Sequence, residues 1–181
     1  MSREGPRVLP LSEDEWTSEQ RELLSVGKPA RVLNIFRTLV RHPDLYRKWN
    51  PFGAQVLLKS TLDARTRELL ILRTGHLCRS AYEFYQHSEI AKRVGISAEE
   101  IEQVKLGPSA PQWTQLEQSA LSAADELHEN QRISDDTWRA LSAHYNEKQL
   151  IDLIFVVGQY TMVAMALNSL GVQIESEPGQ P

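Results

Sequence analysis

The chain has 181 residues, 41% of them hydrophobic and 24% charged, with a formal net charge of −4. This length suits a single domain with enough chain to bury a substantial core. Arg and Glu are interspersed without a long basic run, which argues against nucleic-acid binding, and the one cysteine, Cys78, excludes a disulfide framework within the chain.

No apolar stretch follows Met1-Ser2-Arg3-Glu4-Gly5-Pro6, so no secretory leader is expected. With a single thiol, a reducing, cytoplasmic location is the expectation. Residues 1–16 are expected to form an N-terminal arm. The first predicted helix, 17–26, opens on Thr17 with Gln20 three residues later, a capping-box spacing. A second, 33–42, carries the apolar stripe Ile35, Phe36, Leu39 and Val40. A third, 43–58, starts at Pro43, and Leu45, Trp49, Phe52 and Val56 recur at helical spacing. Pro51 should kink it.

The fourth and fifth helices are predicted over 63–77 and 80–94, with a break within Gly75–Arg79. Ser97 with Glu100 starts a sixth over 97–106, and Thr114 with Glu117 a seventh over 114–129. Ser134 before Asp135 and Asp136 starts an eighth over 134–145. A long helix over 147–170 closes the domain, and 175–181 reads as a tail. No convincing alternating strand appears. The expectation is an all-α protein of eight or nine helices, with one domain over 17–174. Residues 153–174 carry no charged side chain. Length alone would let them cross a bilayer, but Gln159, Tyr160, Thr161 and Asn168 lie within them and no basic cluster flanks them. A core or interface helix is expected, with no membrane partner.

The stretch that carries candidate chemistry is Arg65 to His87. Glu68 sits inside an apolar run. Glu83 and His87 are four apart and share a helical face, with Ser80 three before Glu83 on the same side. Two readings stay open on spacing alone. Ser80-x-x-Glu83 is a capping box in its own right, and Glu83–His87 a surface pair. Alternatively, carboxylates and an imidazole form a general acid–base site, since histidine titrates near neutrality and burial raises a carboxyl towards it. Glu68, Glu83 and His87 show no dense ligand set, so no metal is expected. His76 precedes the break and is a candidate pocket residue. Arg65, Arg67 and Arg73 are candidates for a substrate carboxylate. Tyr160, Thr161 and Asn168 either bond within the core or line a cavity. Cys78 is read as a partly buried inert thiol, and His42, His128 and His144 as surface residues.

The span Glu68 to His87 resembles the core motif of the alkylhydroperoxidase D/carboxymuconolactone decarboxylase-like superfamily. In its thiol-using members a Glu is followed twelve positions later by Cys-x-x-Cys-x-x-x-His. Here Glu68 is followed in that register by Ser80, Glu83 and His87. Tyr82-Glu83-Phe84, Leu33 to Arg37, Leu69 to Arg73 and Val157 to Tyr160 also look like this superfamily. The resemblance implies an orthogonal helical bundle and a trimer or hexamer. It also implies cofactor-independent acid–base chemistry on a small organic acid or lactone: decarboxylation, isomerisation or a related lyase step. Glu68 and His87 would transfer protons, Glu83 would be a second acid, and Ser80 a hydrogen-bond donor. Tyr82, His76, Arg73 and Tyr160 would contact substrate. Both redox cysteine positions are replaced, so a dithiol peroxidase cycle is not expected. A divergent thiol reductase using Cys78 and a non-catalytic oligomeric binding protein remain the alternatives.

Overall fold

The computed structural model describes residues 5–26 and 31–175. Among them are nine α-helices and no strand: α1 Ser18–Leu24, α2 Asn34–Leu39, α3 Pro43–Leu58, α4 Ala64–Leu77, α5 Ala81–Arg93, α6 Ala98–Val104, α7 Gln115–Asn130, α8 Asp135–Ser142 and α9 Glu147–Leu170. Short 3₁₀ turns occupy Glu13–Glu15 and Gly107–Ser109. The expected caps form at Thr17, Ser97 and Thr114, each with its reciprocal Gln or Glu, and Ser134 accepts from the Thr137 amide. Each satisfies backbone donors that the first turn leaves open. α3 runs on through Pro51.

The chain divides into two compact units, and the division falls within α3 and within α9. One unit holds the residues up to Ala54 together with those from Ala166 onward. Its core gathers Leu11, Leu24, Val40 and Tyr46, with Phe36 and Trp49 against them. Phe36, Tyr46 and Trp49 pack with ring centroids 6.2–6.3 Å apart. This corrects the expected α3 stripe: Tyr46 is buried, whereas Leu45 and Phe52 are exposed. Trp49 and Val56 of the expected stripe do pack inward. From the stretch expected as an arm, the Arg7 and Val8 amides donate to the Leu170 carbonyl at 2.8 and 3.2 Å.

The other unit runs from Gln55 to Met165 and is organised around α4. Every residue from Glu68 to Gly75 is buried. Leu70 and Ile71 enter one apolar cluster with α7, α8 and α9; Leu69 and Leu72 enter a second with α5, α6 and Trp113. A helix buried on all sides shows little amphipathic pattern, as the Leu-Leu-Ile-Leu run indicates. Two arginines of α4 tie the surrounding elements down. Arg65 bonds Glu100 at 2.5 Å and Glu117 at 2.7 Å, the cap carboxylates of α6 and α7. Arg73 grips Asp125 of α7 through two bonds and donates to the Val104 and Lys105 carbonyls. α9 is long and apolar enough to cross a membrane, and half of that stretch is buried in the protein.

Candidate active site

The site begins with how α4 ends. Arg79 takes a left-handed conformation (φ 54°). Its amide donates to the His76 carbonyl at 3.0 Å, and the Ser80 amide donates to the Gly75 carbonyl at 2.9 Å. This is a Schellman closure, which satisfies the last carbonyls of α4. It also decides the fate of Ser80 and Glu83. Because the Ser80 amide is already bonded to Gly75, Glu83 has no donor there to fold back upon. Ser80 stands as N-cap of α5 without a side-chain cap bond. The capping-box reading of Ser80-x-x-Glu83 is therefore corrected: the box does not form.

Glu83 is instead turned inward. It is 2% exposed, and neither carboxyl oxygen has a hydrogen-bond partner; the hydroxyl of Ser80, 1% exposed, has none either. A methyl group placed on Gly75 would touch Glu83 Oε1 at 3.4 Å, which sets this carboxyl against the buried flank of α4. Burial alone pushes the Glu83 carboxyl well above the usual carboxylate range. The burial favours its protonated form, and no acceptor in the protein meets it.

The second carboxyl is in the opposite state of connection. Glu68, fully buried, meets His87 Nδ1 through Oε2 at 2.7 Å, and Arg67 Nε reaches its Oε1 at 3.3 Å. Where Glu68 Oε2 accepts this bond, Nδ1 carries the hydrogen and the lone pair lies on Nε2. Tyr160 of α9 stands edge-on to the His87 ring, with centroids 4.8 Å apart. Burial first, and then the nearby Glu68 and Glu83 carboxyls, push its phenol well above the usual value, so Tyr160 stays a neutral hydroxyl.

Glu68, Glu83, His87 and Tyr160 thus come from three helices to one buried neighbourhood, with Ser80 at the N-terminus of α5. Tyr82 is buried one position before Glu83. Two residues expected to contact substrate make other contacts in the structure. Arg73 spends four of its five N–H donors on Asp125 and two backbone carbonyls. His76 is exposed, edge-on to Phe84. Burial first, then Arg73 and Lys105, lower its pKa.

Cys78 is half-buried, with Sγ 3.8 Å from His128 Nδ1. This corrects the reading of His128 as a surface residue: it is partly buried against the thiol, fifty positions away in sequence. Burial pushes the Cys78 thiol up, against an opposing Thr161 hydrogen bond and with a smaller push from the nearby Glu83 carboxyl, which disfavours the nucleophilic thiolate. Gln159, buried on α9 with an unpartnered side-chain oxygen, escaped the sequence reading as a site residue. Its polarity inside an apolar run was the available signal. Among the described residues, no three His, Cys, Asp or Glu side chains gather as a metal-ion set.

The carboxymuconolactone decarboxylase family model matches residues 43–126, the span that holds α4, α5 and the Glu68–His87 pair. The uncharacterized protein YdfG of Bacillus subtilis (strain 168) is 23% identical over 123 residues, 63% of this chain and 84% of that protein. Among solved structures, the peroxidase-related alkylhydroperoxidase AhpD core from Ralstonia eutropha JMP134 matches with a TM-score of 0.83 at 17% identity, over 94% of this chain and 92% of that one. The debrominase Bmp8, as a Cys-to-Ala variant in complex with 2,3,4-tribromopyrrole, matches with a TM-score of 0.79 at 14% identity, over 96% and 94% of the two chains. At these identities the solved structures speak for the fold. The family match over residues 43–126 and the shared fold agree with the register from Glu68 to His87, in which Ser80 and Glu83 stand where the thiol-using members of the superfamily that this motif resembles carry cysteines.

Proposed function

We propose that this protein is a cofactor-independent acid–base enzyme acting on a small organic acid or lactone. The observation that carries the reading is the contrast between two buried carboxyls: Glu68 spent on His87, Glu83 neutral and without a partner. Two titratable groups driven to opposite roles by their surroundings make a general base and a general acid.

In this reading His87 Nε2 takes the proton from the carbon next to a substrate carbonyl. The electrons of that C–H bond move into the carbonyl, and the developing enol oxygen receives the Glu83 proton. Glu68 stabilises the imidazolium across the 2.7 Å bond. Return of a proton to a conjugated carbon, with the enol proton going back to Glu83, completes an isomerisation. When the carbon bears a carboxylate, loss of CO₂ feeds electrons into the same carbonyl, and Glu83 protonates the product. Ser80 Oγ–H supplies a second donor to the oxygen. The first-turn amides of α5 lack intrahelical partners and favour negative charge there.

The test is a panel of unsaturated lactones, with and without a carboxylate, incubated with the protein in D₂O. Deuterium uptake at carbon and CO₂ release are followed by NMR and mass spectrometry. Exchange with at least one of them, falling by ~10²-fold or more in both Glu83→Gln and His87→Gln, is the expected result. Cys78→Ser should exchange as the parent does. Absence of exchange throughout, or dithiol-dependent peroxide reduction abolished by Cys78→Ser, would defeat the proposal in favour of the thiol reading.

A further inference from the structure

We infer that Arg67 is a positioning residue: its guanidinium keeps Glu68 ionised, and through Glu68 it fixes the hydrogen of His87 on Nδ1 and leaves the lone pair on Nε2. α4 carries three arginines. Arg65 is spent on Glu100 and Glu117, and Arg73 on Asp125 and two carbonyls. Arg67 goes to the buried pair, with Nε 3.3 Å from Glu68 Oε1. Sequence neighbourhood does not dictate this contact. Adjacent positions on a helix point about 100° apart, so side chains at i and i+1 do not face each other. The Arg67 stem folds back over α4 to reach the carboxyl, and its side chain is 13% exposed there. Tyr160 reports the same placement. Burial and the Glu68 and Glu83 carboxyls raise its phenol, and Arg67 works against them. The guanidinium charge therefore reaches the ring that stands edge-on to His87.

The chemistry turns on how a carboxylate survives away from water. An isolated buried carboxylate is costly to keep and takes up a proton instead. Among the described residues, Glu68 has two hydrogen-bond partners, one for each oxygen: His87 Nδ1 on Oε2 and Arg67 Nε on Oε1. The bond to the imidazole does not by itself decide which side holds the hydrogen. An ionised Glu68 can only accept, so Nδ1 donates. A protonated Glu68 can donate its O–H to Nδ1, and the hydrogen of the neutral ring then sits on Nε2. The positive charge beside Oε1 selects the first arrangement. Without that charge one proton enters from solvent: Glu68 becomes a donor, Nδ1 accepts, and Nε2–H cannot take a proton from substrate. The consequence for rate rests on the proposed reading of His87 Nε2 as the base; the consequence for the ring does not.

The experiment is ¹⁵N NMR of the histidine side chains at about pH 8, where an unperturbed imidazole is neutral, with His87→Gln to assign the His87 signals. A ring nitrogen that bears hydrogen and a bare one differ widely in shift. The parent should carry its hydrogen on Nδ1. Arg67→Met should move it to Nε2 while keeping the parent's circular dichroism, and should lower deuterium exchange into the unsaturated lactones by about 10²-fold. Arg67→Lys, which keeps the charge, should retain the parent's tautomer and most of its exchange. If Arg67→Met does not fold, Arg67→Gln, a donor without charge, takes its place with the same change expected. Hydrogen on Nε2 in the parent, hydrogen retained on Nδ1 in the uncharged variant, or Arg67→Lys changed as the uncharged variant is, would each overturn the inference. So would a rise in KM confined to carboxylate-bearing lactones with the His87 spectrum unchanged, which would assign Arg67 to the substrate. A parent that exchanges no deuterium at all would remove the proposed reaction, and the spectrum would still decide the role of Arg67.

Discussion

His87 and Glu68 lie nineteen positions apart on different helices, and their side chains meet at 2.7 Å in the protein interior. The Schellman turn at Leu77–Ser80 makes this possible, because it reverses the chain within three residues and lays α5 along the flank of α4. Replacing Glu68 with Leu should remove the acceptor for His87 Nδ1–H. The parent is expected to give a slowly exchanging downfield Nδ1 proton in ¹H–¹⁵N NMR, and the variant to lose it. Glu68→Gln should lower any proton-transfer rate by ~10²-fold or more while the fold persists. A His87 spectrum indifferent to Glu68→Leu would separate the two residues functionally.

Glu83 makes a prediction about stability and pH. Its folded pKa is raised well above 4.5 by burial. Above about pH 4.5 the unfolded chain releases this proton and the folded chain does not. The carboxyl therefore costs stability increasingly as pH rises, until the folded pKa is reached. Glu83→Gln, which never ionises, removes that cost. The difference in melting temperature between Glu83→Gln and parent should be smallest near pH 4 and shift in the variant's favour towards neutrality. A difference that stays flat from pH 4 to 8 would contradict a neutral Glu83.

Arg65 predicts the opposite trend on the acid side. Its hydrogen bond is the leading cause of the lowered Glu100 pKa. For Glu117, burial works upward but is outweighed by the Thr114 amide and Arg65, and the pKa is again lowered. A depressed carboxyl lends stability above its unfolded pKa and loses it as pH falls through the folded one. The protein should lose stability below about pH 4.5, more shallowly in Arg65→Met, which is also expected to cost about 1–3 kcal/mol at pH 7. Thermal melts of both proteins between pH 3 and 7 measure it.

Arg73 and Gly107 should behave as structural partners. Gly107 has φ 77°, and a methyl there would lie 2.7 Å from Arg73 Nη2. Arg73→Ala leaves Asp125 and two buried carbonyls without their donor, at a cost of about 3 kcal/mol. Gly107→Ala should destabilise as well, through backbone strain and the displaced guanidinium. Denaturant unfolding should show both losses, with much less than additive effects in the double variant, since the sites are in contact. Additive losses would show that Arg73 and Gly107 act separately.

The helices were legible in the sequence because their start signals are local. Thr17 with Gln20, Ser97 with Glu100, and Thr114 with Glu117 close their capping bonds within three residues, so residue type and spacing suffice. The register of Glu68, Ser80, Glu83 and His87 was legible for the same reason: an α-helix converts spacing into a shared face. What the polar residues do there was a tertiary decision. Ser80-x-x-Glu83 has the spacing of a cap, but the Schellman bond to Gly75 spends the amide and turns Glu83 inward. Arg73 looked available until Asp125, fifty-two positions away, claimed it, and His128 looked like surface until Cys78 packed against it. In α3 the buried place went to Tyr46 rather than Leu45, where Phe36 of α2 meets its ring edge-on. A backbone cap finds its partner along the chain. A buried charge or ring finds its partner across the fold, and only packing selects which helix supplies it.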